Sequence, residues 1–307
     1  FPRGPRAAGQ VLAGWRAMKF RARFGNAAQL SRLVQTLGRI GDSCVVHLTA
    51  DSIAFAIVGD VGDGVQVWAD MSRAALFVEH RIESKNENQI SFTSAVANLH
   101  RALRSTCGDG NAQSVVKLTK KSGIPTFTFE IQQPQSQLKI THDVPIRLIH
   151  DAEELTRYYE PPLPDDALAS AASVVLPATE LRGLRNTVDR MRSFSAHVVL
   201  SATNGPDENT LRLQVHKENL MSITTTYSKL GAVAQVSAGA RHSADAKVET
   251  KKLSKVLHAL LSSDVRLASV ICCVVPEKTV ALKCFLAEGD SQSSIVFYLP
   301  VQYLAPD

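Results

Sequence analysis

Three groups of side chains in this 307-residue chain could carry catalysis. They are His142 with Asp143, Cys44 with His47, and an acidic run after a histidine, which comprises His150, Asp151, Glu153 and Glu154. A histidine beside a carboxylate or a thiol is the pair that acid–base and nucleophilic catalysis use. The sequence contains no GxSxG, HExxH or Walker pattern that would fix such a pair in space. We therefore predict no catalytic residue and no cofactor, and the hydrolase hypothesis has no motif behind it.

The cysteines and the apolar runs narrow the class of protein further. Five cysteines, an odd number without a CxxC pair, indicate a reduced compartment rather than secretion. Cys272 and Cys273 lie inside the apolar run 270–275, where we expect buried, inert thiols on a strand. No further metal ligands stand near them in the sequence, so we predict no metal site. Apolar runs of this length are far shorter than the roughly 18 residues that a membrane span needs, and no membrane association is expected.

The more informative residues are basic, and the elements that position them are helices. Apolar residues recur at helical spacing in four segments, which are 26–41, 94–106, 178–194 and 250–263. In the first segment, Leu30, Leu33, Val34 and Leu37 form a single apolar stripe. Asn26 can cap the first turn with its side-chain oxygen. The sequence therefore predicts four amphipathic helices.

Positive charge is concentrated on these four predicted helices. Counted with Glu249, which directly precedes the last segment, they hold eleven of the chain's 34 basic residues but only three of its 29 acidic residues, a net +8 against +5 for the whole chain. At about 100° per residue, Arg32, Arg101 and Lys255 stand roughly 200° from the apolar stripe and are expected to face outward. Four outward faces of one sign indicate a polyanion and favour a nucleic acid contacted through its phosphates. The predicted DNA-facing residues are Arg32, Arg39, Arg101, Arg104, Arg182, Arg185, Arg190, Arg192, Lys251, Lys252 and Lys255.

The order of elements occurs twice along the chain. Each half reads strand, helix, several strands, helix and several strands, with a period of about 150 residues that indicates duplication. We predict an α+β protein with two similar domains, 18–149 and 173–307, each built of antiparallel sheets and two helices. The acidic, proline-containing segment 150–172 is typical of an interdomain linker. Residues 1–17 are predicted to be a non-native or disordered extension, with an organellar transit peptide as the alternative.

Several short segments resemble the Hus subunit of the checkpoint sliding clamp, the heterotrimeric nine-one-one ring, and more distantly the replication clamp PCNA. The resemblance runs from Met18 to about Tyr303 and is carried by MKFRA at 18–22, THDVPI at 141–146 followed by Arg147, VDRM at 188–191, YSKLG at 227–231 and FYLP at 297–300. Segments 203–210 and 231–248 match poorly and look loop-like. The resemblance implies a DNA clamp fold, in which each of two domains has outer sheets and two inner helices.

The resemblance also implies partners and contact sites. Such a subunit joins two other clamp subunits in a heterotrimer, is placed on duplex DNA in the nucleus by a clamp loader, and serves checkpoint and repair proteins as a platform. Subunits of this family pair strands edge to edge, and the implied interface residues are Ile140, His142, Val144 and Ile146. Client peptides bind a groove that the linker crosses, and the implied groove residues are Val65, Leu148, Tyr298 and Pro300. A homotrimeric processivity clamp for a DNA polymerase is the main alternative.

Overall fold

The chain divides into two compact units. The computed structural model describes residues 18–59, 64–107, 113–132, 138–205, 208–217, 221–233, 242–287 and 293–302, so the predicted extension 1–17 lies outside the described residues. Of the described residues, the first unit holds 18–55 and 70–158, and the second unit holds 56–69 and 159–302. The strand pairings described in both units are antiparallel.

The first unit contains two sheets and a pair of long helices. Its elements are β1 (Lys19–Phe24), α1 (Ala27–Leu37), β2 (Ser43–Leu48), β3 (Ser52–Ile57), β4 (Gln66–Ser72), α2 (Arg73–Leu76), β5 (Phe77–Glu83), β6 (Ile90–Ala95), α3 (Val96–Thr106), β7 (Gln113–Lys121), β8 (Ile124–Gln132), β9 (Lys139–Pro145), β10 (Arg147–Ile149) and α4 (Ala152–Thr156). One sheet has the order β5-β1-β7-β8-β9, and in the other β10, β6, β2 and β3 are successive neighbours. The first residues of β4, 66–69, are counted with the second unit.

The second unit has the same kinds of element in the same order. After α5 (Asp165–Ala169) they are β11 (Ala172–Pro177), a 3-10 turn (Ala178–Glu180), α6 (Leu181–Arg192), β12 (His197–Asn204), β13 (Thr210–Lys217), β14 (Met221–Tyr227), β15 (Gly231–Ala232), β16 (His242–Glu249), α7 (Thr250–Ser262), β17 (Leu267–Val275), β18 (Thr279–Leu286) and β19 (Ser294–Gln302). One sheet runs β14-β13-β12-β16-β19, with β4 on the other side of β19. In the other, β15, β11, β17, β18 and β19 are successive neighbours.

The first long helix begins where its sequence predicts. The side-chain oxygen of Asn26 accepts a hydrogen bond from the backbone N–H of Gln29 at 3.2 Å, which satisfies one of the free donors of the first turn. Leu30, Val34 and Leu37 are buried on the inner side of α1. The helix ends at Leu37, earlier than the segment 26–41 predicts. Arg39 therefore follows the helix rather than lying on it.

The core of the first unit lies where both helices meet both sheets. Phe127 and Phe129 from one sheet contact each other with ring centroids 5.2 Å apart, and Phe92 of the other sheet lies 5.1 Å from Phe127. Leu30 of α1 and Leu103 of α3 line the same space, which encloses a cavity of about 20 Å³ with apolar side chains around it. Burial of these side chains supplies most of the free energy that holds the helices on the sheets.

A constant offset relates the two units. Leu30 and Val34 of α1 correspond to Leu184 and Val188 of α6, each 154 positions later, and all four are buried. The same offset pairs the buried residues of α3 with those of α7, namely Val96, Leu99, Ala102 and Leu103 with Thr250, Leu253, Val256 and Leu257. The strand pairings also correspond, because β1–β7–β8 matches β11–β17–β18 and β2–β6 matches β12–β16. The predicted duplication is therefore visible in the burial pattern as well as in the order of elements.

Two segments are more ordered than the sequence indicates. The loop-like segment 231–248 contains most of β16, so that expectation is wrong there. Its inward residues Ala244, Ala246 and Val248 alternate with polar ones, but alanine gives only a weak strand signal. The segment 150–172 contains α4 and α5, and Leu155 of α4 packs against Val45.

Candidate nucleic-acid interface

Each unit places its two long helices side by side, and these helices carry the predicted DNA-facing residues except Arg39, which follows α1. Helix α1 packs against α3, and α6 packs against α7. Most of the eleven basic residues are exposed, namely Arg39, Arg101, Arg104, Arg182, Arg190, Arg192, Lys251 and Lys255. The remaining three, Arg32, Arg185 and Lys252, are half-buried. Exposed side chains on one helix pair can reach a common polyanion, whereas the half-buried ones contribute to packing as well.

Several of these cations have no acidic partner among the described residues. No described carboxylate lies within 4 Å of Arg101 or Arg104 on α3, or of Arg182, Arg190 or Lys251 in the second unit. Unpaired guanidinium and ammonium groups are those that can exchange counterions for phosphates without first breaking an ion pair.

Two acidic residues of the second helix pair, Asp189 and Glu249, are engaged within the protein. Asp189 of α6 accepts hydrogen bonds from Ser254 Oγ of α7 at 2.7 Å and from His258 Nε2 at 2.9 Å. Burial disfavours its charged form, but these two bonds outweigh burial, and the pKa of Asp189 is lowered from its ordinary value. Glu249 Oε1 lies 2.8 Å from Lys252 Nζ. Both carboxylates are therefore partly neutralised by their neighbours.

His258 and Asp189 form a polar contact that the sequence does not reveal. His258 lies on the outward face of α7, one turn beyond Lys255 and two beyond Lys251. By the 154-residue offset it stands where α3 has Arg104. The two partners are 69 residues apart on different helices, so no local spacing signals their contact.

The predicted subunit-interface residues lie on or beside the edge strand β9. β9 is the last strand of its five-stranded sheet, so one of its sides has no strand beside it among the described residues. Val144 and Ile146 are only 3% and 6% exposed, and Ile140 and His142 are half-buried. A partner strand would therefore meet the backbone edge of β9, while these side chains pack within the unit.

The residues predicted for the client groove fall in both units. Val65, Tyr298 and Pro300 belong to the second unit, and Leu148 belongs to the first. The ring of Tyr298 stands edge-on to Trp68 with centroids 5.3 Å apart, and its hydroxyl donates to Glu160 Oε1 at 2.6 Å. Burial, and then this hydrogen bond, raise the pKa of Tyr298 above its ordinary value. Trp68 is the member of this group that sequence reasoning missed.

Residues of the clusters that could carry catalysis are buried or hydrogen-bonded to neighbouring side chains. Burial raises the pKa of the Cys44 thiol to about 12 and lowers the pKa of His47, whose Nδ1 lies 2.7 Å from Ser91 Oγ. Asp143 accepts a hydrogen bond from Thr128 Oγ1 at 2.7 Å. Thiols of such high pKa are poor nucleophiles at neutral pH.

Carboxylates of the acidic run beside His150 cap a helix and form an ion pair. Asp151 caps α4 by accepting from the backbone N–H of Glu153 at 3.0 Å. Glu154 Oε1 forms an ion pair with Arg147 Nη2 at 2.7 Å.

Burial also raises the pKa of Cys272 to about 12. Within the described ranges, no group of three or more histidine, cysteine or acidic residues could hold a metal ion, and no helix is long and apolar enough to cross a membrane.

Solved structures identify the class of fold. PCNA from Thermococcus kodakaraensis matches with a TM-score of 0.63 at 16% identity, over 92% of this chain and 100% of that chain. Proliferating Cellular Nuclear Antigen from Entamoeba histolytica matches with a TM-score of 0.65 at 14% identity, over 92% and 99%. The protein has the DNA clamp fold, and the predicted α+β architecture of two similar domains with antiparallel sheets and a helix pair is confirmed.

Sequence comparison then identifies the family. The family model described as Hus1-like protein matches residues 18–302, and the chain belongs to this family. A checkpoint protein hus1 homolog from Dictyostelium discoideum is 28% identical over 296 residues, which cover 92% of this chain and 98% of the relative. The checkpoint protein hus1 of Schizosaccharomyces pombe is 29% identical over 188 residues, or 60% of this chain and 62% of the relative. The resemblance noted in the sequence is thereby confirmed.

Proposed function

We propose that this chain is a non-enzymatic subunit of a ring-shaped DNA clamp that acts in the DNA damage checkpoint and in DNA repair. Membership of the Hus1-like family supports the checkpoint role, and the clamp fold supports the ring. The observation that carries the DNA-binding part is the set of exposed cations on both helix pairs, beside which Asp189 is bound by Ser254 and His258, and Glu249 by Lys252. The thiols of high pKa and the engaged carboxylates favour a binding protein over an enzyme.

The helix cations bind duplex DNA through its phosphates, without reading sequence. Flexible lysine and arginine side chains on helix surfaces suit diffuse phosphate contacts, which permit sliding because no base is held. We assign this role to the eleven predicted residues. Lys252 and Arg185, which are half-buried, contribute less than the exposed ones.

Assembly with other subunits follows from the internal repeat. The last strand of the second half, β19, pairs with the fourth strand of the first half, β4. The corresponding strands are β9, the last of the first half, and β14, the fourth of the second half, and each ends its sheet. We infer that β9 pairs with the β14-like strand of one neighbouring subunit, and that β14 pairs with the β9-like strand of the other. Sequence reasoning named only β9.

The remaining partners follow from the same assignment. Two different clamp subunits complete a heterotrimer in the nucleus, and a clamp loader places the ring on DNA. Checkpoint and repair proteins bind it through short hydrophobic peptides. We assign Val65, Leu148, Tyr298 and Pro300 to the groove for these peptides, with Trp68 added because its ring contacts Tyr298.

Paired proline variants on two sheet edges test the assembly. Adjacent N–H groups of a strand point to opposite sides, so either Ile140→Pro or Thr141→Pro removes a donor from the free side of β9. That variant is expected to lose co-purification with two partner subunits while the melting temperature of the chain alone is unchanged. The other of the two variants removes a hydrogen bond to β8 and is expected to lower the melting temperature.

The opposite edge of the same sheet provides the control. Glu79→Pro and His80→Pro on β5 make the same pair of changes, and both should assemble normally. Normal co-purification of both β9 variants would refute the assignment of that edge. A stable homotrimer of the wild-type chain alone would contradict the heterotrimer and favour a processivity clamp.

A further inference from the structure

The segment between α4 and α5 contains a run of residues with restricted backbones. Its sequence over 159–165 is Tyr-Glu-Pro-Pro-Leu-Pro-Asp. Proline fixes its own φ near −65°, and the residue before a proline is pushed to extended or polyproline II backbone. Each of the five residues from Glu160 to Pro164 is a proline or precedes one, and none has helix or strand structure. The stretch is therefore predisposed to a polyproline II helix.

Contacts with the rest of the protein distinguish one edge of such a helix. With three residues per turn, residues 160 and 163 share one edge. Glu160 is exposed but accepts the hydrogen bond from Tyr298, and Leu163 is half-buried, so this edge contacts the protein. Pro161 and Pro164 share the second edge, and both are exposed. The third edge is also exposed.

The outward edges together display a proline-rich ligand surface. The third edge consists of Tyr159 and Pro162, and Tyr159 is 48% exposed although it is aromatic. Two prolines separated by two residues, Pro161 and Pro164, are the spacing that aromatic-lined grooves recognise in polyproline II peptides. Anchoring of Glu160 by Tyr298 restricts the segment before any partner binds, which lowers the entropy cost of binding.

We propose that residues 159–164 are a polyproline II ligand for a protein module that has an aromatic-lined groove and a basic rim. The basic rim follows from charge, since 150–172 contains six acidic residues and a single arginine. This surface contains neither the helix cations nor the sheet edges, although Glu160 contacts Tyr298 of the proposed client groove. The inference therefore extends beyond the clamp assignment and needs only the single chain.

Binding of isolated modules to the full-length chain tests the proposal. The probes are purified SH3, WW and EVH1 modules, measured by titration calorimetry against wild type and the double variant Pro161→Ala/Pro164→Ala. At least one module with a basic-rimmed groove should bind wild type at least tenfold more tightly than the double variant. Both prolines are exposed, so the variant should remain folded, with a slightly lower melting temperature because its unfolded chain is less restricted.

A proline substitution elsewhere controls for general effects. Pro177→Ala changes another exposed proline outside the segment and should leave module binding unchanged. If no module distinguishes wild type from Pro161→Ala/Pro164→Ala, or if Pro177→Ala weakens binding equally, the proposal is wrong. Neither outcome bears on ring assembly, which the β9 variants test independently.

Discussion

The two helix pairs share their buried residues but differ in the polar residues beside them. In the first unit, neither α1 nor α3 contains an acidic residue. In the second unit, α6 carries Asp189, which is held by Ser254 and His258 of α7, whereas the equivalent position in α1 is Gln35. The apolar stripe therefore fixes how the helices lie on the sheets, and the positions between them can change freely. An acid is tolerated on a cation-rich surface when the neighbouring helix binds it.

Truncation of equivalent buried leucines should give the largest difference in stability between the two units. Leu103 and Leu257 occupy equivalent positions and are 1% and 0% exposed. Leu103 already lines the cavity of about 20 Å³, so Leu103→Ala enlarges an existing space. We expect it to lower the free energy of unfolding by about 4 kcal/mol, against about 3 kcal/mol for Leu257→Ala. Urea unfolding with hydrogen exchange in each unit measures both, and an equal loss would mean that the cavity does not weaken the first unit.

Charge reversal on equivalent helices should affect DNA binding in both units. Arg101→Glu/Arg104→Glu on α3 and Lys251→Glu/Lys255→Glu on α7 each remove two exposed cations. Each double variant of the assembled complex should lose at least tenfold in affinity for duplex DNA, or about 1.4 kcal/mol, and should show a shallower salt dependence. Fluorescence anisotropy at two salt concentrations measures both quantities.

A reversal on a sheet completes that comparison. Arg212→Glu/Lys217→Glu changes two exposed cations of β13 and should leave DNA affinity nearly unchanged. If one helix pair responds and the other behaves like β13, the proposal that both helix pairs bind DNA is wrong.

Asp189→Asn should lower stability more than a substitution at the equivalent position of the first helix pair. It removes the charge that accepts from Ser254 and His258, so we expect a loss of about 1–2 kcal/mol in the free energy of unfolding at pH 7. Gln35→Ala, at the equivalent position, should cost less than about 0.5 kcal/mol. Chemical unfolding measures both variants.

The pH dependence of this difference has a definite sign. The folded-state pKa of Asp189 is lowered, so its contribution is complete above the ordinary carboxyl pKa of about 3.9 and is lost as the pH falls through the folded value. Wild type and Asp189→Asn should therefore converge in stability below about pH 4. A gap that stays constant to acid pH would show that the carboxylate charge is not what stabilises the contact.

The sequence predicts what depends on local periodicity and misses what depends on long-range register. The four helices, the Asn26 cap and the duplication follow from spacing along one segment. The early end of α1 is missed because the helical pattern continues into turn residues. Strand β16 is missed because its inward alanines give only a weak strand signal. The contacts of Asp189 with His258 and of Trp68 with Tyr298 join residues far apart in the chain, which no periodicity relates. The basic residues of the candidate interface could be named in advance, but the acids that are bound beside them could not.

The free edges β9 and β14 differ in sequence, so the molecule has a head and a tail. Molecules that join through two unlike surfaces must follow one another in a single direction, and such a chain either closes on itself or continues as a filament. If subunits join through these two edges as proposed, the difference between the edges fixes the order of neighbours. The subunit that pairs with β9 and the subunit that pairs with β14 could exchange positions only if the pairing edges of both subunits changed together.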